Sequence, residues 1–150
     1  IGFIMRGEII WQKSKGANAN FAWGSWLSAS NPVIRDIHEY CLVFSKDSMK
    51  NSSGGVSTIE KDEFMDSTLS IWNINPEKAK KIGHPAPFPI ELPKKFINLY
   101  SFKDDLILDP FIGSGTTAIA SKLLQRNYVG YEINKDYIEI ANKRLHAETS

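Results

Sequence analysis

The chain has 150 residues, 42% hydrophobic and 23% charged, with a net charge of +1, a size and balance that suit one soluble globular domain. No apolar run nears the roughly 20 residues that span a bilayer, and no stretch at the start reads as a secretory signal. One cysteine, Cys41, leaves no internal disulfide and points to a reduced, cytoplasmic setting, while near-neutral charge neither implies nor excludes a nucleic-acid partner.

The first residues, Ile1-Gly2-Phe3-Ile4, already lie in an apolar run, and the chain reads as a piece of a longer one. Glu8-Ile9-Ile10-Trp11 is short, apolar and β-prone, and the polar stretch from Lys13 to Asn20 makes it a strand entering a loop. Trp23 and Trp26 fall in a Gly/Ser/Asn-rich loop closed by Asn31-Pro32. Core packing is the leading reading for both tryptophans, with base stacking second. Tyr40-Cys41-Leu42-Val43-Phe44 is a second strand, with Cys41 an inert buried residue.

Lys46 to Ser57 holds Ser52-Ser53-Gly54-Gly55 and almost no large apolar side chain. Such a segment cannot offset its ordering entropy, so a mobile loop is expected. Ile71-Trp72-Asn73-Ile74 reads as a short extended piece. Pro76 to Pro93 contains five prolines, each fixing φ and removing a donor, so irregular extended chain is expected.

The period then changes. Leu92, Phe96, Leu99 and Tyr100 share one helical face, with Pro93 in the first turn. Leu106-Ile107-Leu108 is an apolar strand ending at Asp109. Ala118, Ile119, Leu123 and Leu124 mark a helix that stops near Arg126-Asn127. Tyr128 to Tyr131 is a strand ending at Glu132. Asn134 can cap a last helix whose apolar face is Tyr137, Ile138, Ala141 and Leu145. Helix, strand, helix, strand, helix is the pattern of a parallel βαβ unit.

Gly113-Ser114-Gly115-Thr116-Thr117-Ala118 matches G-x-G-x-x-G/A between that strand and that helix. The first glycine permits a tight turn and the second leaves room for a ligand at the backbone. The helix behind presents free N–H groups and a positive dipole end. Glu132 follows about twenty residues on, where a carboxylate can accept both hydroxyls of a ribose. A nucleoside ligand at the carboxyl edge of a parallel sheet is the reading. The bland alternative is a tight turn and nothing more. A P-loop is excluded because no Gly-Lys-Ser/Thr follows. A nicotinamide cofactor stays open on this pattern alone. Asp109 and Pro110 just before the glycines weigh against it, because a carboxylate there suits a cationic group, such as the amino group of a methionine moiety.

Asp109-Pro110-Phe111-x-Gly113-Ser114-Gly115-Thr116-Thr117 resembles the cofactor motif of DNA amino-methyltransferases, which methylate the exocyclic nitrogen of adenine or cytosine. So does Gly130-Tyr131-Glu132-Ile133-Asn134, followed by Tyr137, Ala141, Arg144 and Leu145. His84-Pro85-Ala86-Pro87-Phe88-Pro89 with Glu91-Leu92 is similar to the family's segment before the glycines. Glu8-Ile9-Ile10-Trp11-x-Lys13, and Arg35-Asp36-x-His38-Glu39-Tyr40 with Phe44 and Lys46, are similar to motifs of its catalytic half. With the cofactor motif C-terminal, the order is that of the permuted members.

The resemblance implies an α/β, Rossmann-like methyltransferase fold, incomplete at the N-terminus. Its sheet would be mostly parallel with one antiparallel strand and flanking helices. Residues 1–150 would form one partial domain and 84–150 its cofactor-binding portion, with 46–66 a mobile target-recognition loop. The implied cofactor is S-adenosylmethionine. Asp109, Pro110, Phe111, Gly113, Ser114, Gly115, Thr116 and Thr117 would surround its methionine end. Glu132 would hold the ribose, Ile133 would pack on the adenine, and Ala86, Pro87 and Phe88 would close the pocket. Related chains often carry a polar or basic residue near position 88, so a side-chain contact from Phe88 to the cofactor carboxylate is not carried over.

The family's catalytic motif, an Asp, Asn or Ser followed by Pro-Pro and an aromatic, has no match, since no Pro-Pro pair occurs. Asp109-Pro110-Phe111 lacks the second proline and runs into the glycine turn. No catalytic residue is therefore assigned, and the motif is expected upstream of Ile1. Double-stranded DNA is the implied partner, with a second copy or a complementing chain as further options. Lys78, Lys80 and Lys81 form a candidate DNA contact. Lys94 and Lys95 form another basic pair, either DNA-facing or a solvated surface. His84 reads as a turn residue, and His38 and Glu39 as supports of the fold. No cluster has metal-ligand spacing, and no metal is expected.

Overall fold

A computed structural model describes residues 2–13, 26–52, 54–77 and 88–148. The element order is β1 (Phe3–Gln12), β2 (His38–Lys46), α1 (Lys61–Ser67), β3 (Ile71–Asn73), α2 (Glu91–Tyr100), β4 (Leu106–Asp109), α3 (Thr116–Leu123), β5 (Asn127–Gly130) and α4 (Lys135–Glu148). Among the described residues no helix is long and apolar enough to cross a membrane.

The strands form two sheets. In the first, ordered β2-β1-β3, β1 runs antiparallel to β2 and parallel to β3. The register places Ile9 opposite Cys41 and Trp11 opposite both Glu39 and Trp72, with a shift between Met5 and Gly7. In the second, β4 and β5 are parallel, with Asp109 beside Gly130. One antiparallel pair in an otherwise parallel set is the expected arrangement, here in two pieces.

Among the described residues each sheet is covered on one face only. Ile9 and Trp11 of β1 and Trp72 of β3 are buried with Ile74 and with Leu92 of α2, and Cys41, Val43, Phe96 and Leu99 pack around them. Trp11 Nε1–H donates to the Ile74 carbonyl at 2.9 Å, which satisfies the polar atom of a buried ring. The rings of Trp72 and Phe96 lie 4.7 Å apart. Burial pushes the Cys41 thiol up, with Glu39 adding to it, so this cysteine stays protonated and inert. The second core joins Ala118 and Ile119 of α3 to Leu145 of α4, with Ile90, Ile112 and Tyr128 around it. Fully burying a side chain such as Ile119 contributes about 1.5–3 kcal/mol.

The opposite faces are bare. Tyr40, Leu42 and Phe44 of β2, Phe3 and Met5 of β1, and Leu106 and Leu108 of β4 are exposed. Strand alternation makes this inevitable once Cys41, Val43 and Ile107 turn inward.

The segment expected as a recognition loop includes the start of a helix and hydrogen bonds to the rest of the chain. Its end, from Lys61, is α1, with Asp62 and Glu63 in the first turn where the helix dipole favours acids. Lys103 N–H bonds the Val56 carbonyl at 2.9 Å, and Thr58 Oγ1 bonds Asn98 Oδ1 at 3.2 Å. Lys95 also departs from expectation. It is buried, paired with Asp66 and Ser67 of α1 and lying over the Trp72 ring. It binds α1 to α2 rather than facing solvent or DNA. Trp26 goes the other way and is exposed.

Candidate functional site

The site is built where β4 and β5 end. Tyr131 N–H bonds the Asp109 carbonyl and Ile112 N–H bonds the Tyr131 carbonyl, each at 3.0 Å. These two bonds carry the ladder past the strands and fix where the glycine turn begins. Gly113 and Gly115 have φ of +52° and +83°, the left-handed region that glycine enters without a Cβ penalty. Gly115 is the N-cap of α3, so the turn delivers the chain straight into a helix whose first N–H groups have no partner within the helix.

Two carboxylates flank that turn. Asp109 Oδ1 accepts the Phe111 N–H at 3.0 Å, which orients the carboxyl group and leaves Oδ2 for a ligand. Glu132 Oε2 accepts the Gly113 N–H at 3.1 Å and its Oε1 accepts the Asn134 N–H at 2.8 Å. Glu132 thus spans from the end of β5 to the glycine turn while keeping one lone pair on each oxygen. Asn134 Oδ1 accepts the Asp136 N–H at 2.9 Å, capping α4.

The backbone of the turn is held from below. Arg144 of α4 donates to the Ser114 carbonyl at 2.9 Å and to Ser114 Oγ and Thr116 Oγ1 at 3.1 Å each. Its Nε bonds Glu148 Oε1 at 3.1 Å. Ser114 and Thr116 are buried, so their side chains serve Arg144 and their amides are what a ligand could meet. In the sequence Arg144 stands out only as part of a motif. Its spacing three residues after Ala141 places a cation near the packed face of α4, but nothing local marks Ser114 and Thr116 as its partners.

Around the turn stand large apolar side chains with no core to enter. Phe111 is 86% exposed, Tyr131 63% and Ile133 101%. Each adjoins the glycine turn or Glu132 along the chain. Pro110 is exposed and Thr117 half-buried on the same turn. Phe88 packs against the first core, near Trp11 and Trp72. Ala86, Pro87, Lys78, Lys80 and Lys81 lie outside the described residues, as does Trp23. Among the described residues no three His, Cys, Asp or Glu side chains cluster as a metal site. His38 stacks edge-on against Tyr40 at 4.9 Å and Glu39 pairs with Lys13, both structural roles.

The arrangement can hold a nucleoside bearing a zwitterionic tail. Glu132 can accept hydroxyl protons, Asp109 can face a cation, and the turn and helix amides can face an anion. Ile133 and Phe111 offer flat apolar area.

Comparison with known proteins accords with this chemistry. A family model described as DNA methylase matches residues 1–143. The Type II methyltransferase M.MjaI of Methanocaldococcus jannaschii is 33% identical over 97% of this chain and 50% of its own length. M2.MboI of Moraxella bovis is 39% identical over 98% of this chain and 52% of its own. The chain thus spans about half the length of these curated relatives. Among solved structures, the DNA modification methylase TTHA0409 of Thermus thermophilus, complexed with S-adenosyl-L-methionine, superposes with a TM-score of 0.78 at 28% identity. That match covers 99% of this chain and 55% of that one. The chain belongs to the DNA amino-methyltransferase family.

Proposed function

We propose that this chain forms the S-adenosylmethionine-binding part of a site-specific DNA methyltransferase acting on the exocyclic amino group of adenine or cytosine. The observation that carries the reading is the pair of carboxylates flanking the glycine turn, Asp109 at the end of β4 and Glu132 just past the end of β5. The Thermus relative, complexed with S-adenosylmethionine, supports the choice of ligand.

The residues present fit that cofactor. When bound, it supplies an electrophilic methyl group on a sulfonium. Asp109 Oδ2 would hold the amino group of its methionine end, with Phe111, Pro110 and the turn from Gly113 to Thr117 closing around it. The amides of the turn and of α3 would hold the carboxylate. Glu132 would accept the ribose hydroxyls and Ile133 would cover the adenine. Ala86 and Pro87 would shut the pocket from the other side, while Phe88 packs against the first core. Fixing the donor in one pose is a catalytic contribution in itself, because positioning supplies much of the acceleration in such transfers.

The base side needs acceptors for the amino hydrogens and an aromatic surface for a flipped base. The described residues do not assemble that set. Lys78, Lys80 and Lys81 are the proposed contacts to DNA phosphates, a sequence-independent term that weakens with salt. A reduced cytoplasmic compartment suits the single cysteine.

Titration of the chain with S-adenosylmethionine and, separately, with NADH tests the ligand. S-adenosylmethionine should bind and NADH should not. Glu132→Gln should weaken binding about tenfold, equal to roughly 1.4 kcal/mol. Binding of NADH alone, or an unchanged affinity in the variant, would overturn the reading.

A further inference from the structure

We propose that Arg144 is a positioning residue for the methionine end of the donor. From α4 it aims the backbone and two hydroxyls of the glycine turn at the cofactor's carboxylate and lends them its charge, acting through Ser114 and Thr116. This rests on the functional reading above and extends it to a side chain that the glycine motif does not contain.

The guanidinium sits where the stability of the fold gives little reason for a cation. Thr116 is the first residue of α3, directly after the N-cap Gly115, and the positive end of a helix dipole disfavours a cation there. Arg144 nevertheless directs Nη1 to the Ser114 carbonyl at 2.9 Å and to Ser114 Oγ and Thr116 Oγ1 at 3.1 Å each. All three acceptors are neutral. Its carboxylate partner, Glu148, meets Nε at 3.1 Å from one turn further along α4 and is 41% exposed, so solvent screens that pair. The acids of the turn, Asp109 and Glu132, accept from the Phe111 and Gly113 amides. A cation and a helix N-terminus therefore converge on the stretch from Ser114 to Thr116, and an anionic group of a ligand satisfies both.

The hydroxyls pass that charge on. A hydroxyl that accepts from a cation keeps its own proton for a further acceptor. Ser114 is 4% exposed and Thr116 3%, and neither hydroxyl donates to another described residue. Two buried O–H groups, both polarised by one guanidinium, can thus meet a carboxylate in charge-assisted bonds. The same helix seats the residue between them, because Ala141, three residues before Arg144, lies against Gly115.

A pair of ligands separates this role from simple support of the fold. S-adenosylhomocysteine and 5′-methylthioadenosine share the adenosine and a neutral thioether, and only the first carries the amino-acid tail. Both are titrated calorimetrically into the whole chain and into Arg144→Met and Arg144→Lys. Arg144→Met should weaken S-adenosylhomocysteine about tenfold or more and change 5′-methylthioadenosine by less than about twofold. Arg144→Lys keeps the charge without the planar fork and should recover part of the loss. A brace of the fold alone would weaken both ligands alike. Equal losses, or unchanged affinity for both, would therefore overturn the proposal and leave the cofactor reading intact. If Arg144→Met does not fold, Thr116→Val makes the same comparison. It removes one of the two hydroxyls and should weaken the first ligand about threefold with no effect on the second; loss of both or of neither counts against the proposal. Failure of the unaltered chain to bind either ligand would instead sink the cofactor reading, and this role with it.

Discussion

Gly115 enters α3 with φ of +83°, and a Cβ built there would lie 2.9 Å from the Cβ of Ala141 and 3.1 Å from its Cα. Neither neighbour is the end of a flexible side chain, so nothing can swing aside. Gly115→Ala should therefore cost about 3 kcal/mol, combining left-handed strain with overlap. Thermal unfolding should show the loss, and S-adenosylmethionine binding should fall with it. An unshifted melting temperature would contradict the packing described. Gly130 is constrained differently. A Cβ there would lie 2.9 Å from Ile112 Cβ and 3.0 Å from its Cγ1, so a side chain at this position would force Ile112 to shift. The glycine turn and its acid are legible in the sequence because their chemistry is local. The role of Arg144 is not, because its partners at Ser114 lie 30 residues away. Lys95 misleads for the same reason, since Asp66 is 29 residues distant.

The elements from α2 to α4 follow the hydrophobic periods closely. Each is long enough to repeat its pattern, and each packs on a neighbour close in sequence. The helix α1 is hidden from such reading because it has seven residues and one large aromatic, too few to show a period. The anchoring of residues 54–60 is hidden too, since the anchor is Arg126. That guanidinium is buried and donates to the Ser101 carbonyl at 2.8 Å, to Thr58 Oγ1 at 2.5 Å and to the Leu124 carbonyl at 2.6 Å. Burial lowers its pKa, while Asp105 and Asp104 pull it back up, so it stays charged at any physiological pH. Arg126→Met should remove about 3 kcal/mol of charge-assisted bonding. On a chain of 150 residues that lowers the melting temperature by about 8 °C. Faster amide exchange at 55–60 than at 116–123 would localise the damage. Uniform loss across both would show that Arg126 serves the whole fold.

At the scale of the molecule, the described residues form two sheets, each packed by helices on one side. The proposed donor site draws on the turn and the strands beside it, while no residues for the base-binding chemistry are assigned among those described. Incubating this polypeptide alone with duplex DNA and methyl-labelled S-adenosylmethionine should give no incorporation above the protein-free control. Turnover would show that the missing motif has a substitute within these 150 residues.

Arg144 also sets an order of events during synthesis. Every residue of the glycine turn and Glu132 leaves the ribosome before the helix that carries Arg144. Until α4 folds, Ser114 and Thr116 lack the cation that holds them, and Ala141 is not yet packed beside Gly115. A nascent chain halted after Asn134 would carry the residues proposed to hold the cofactor without the helix that braces them. The proposed methyl-donor site would therefore wait on α4, which emerges after every residue that Arg144 holds. A nonsense codon in α4 should abolish cofactor binding as completely as one in the motif itself.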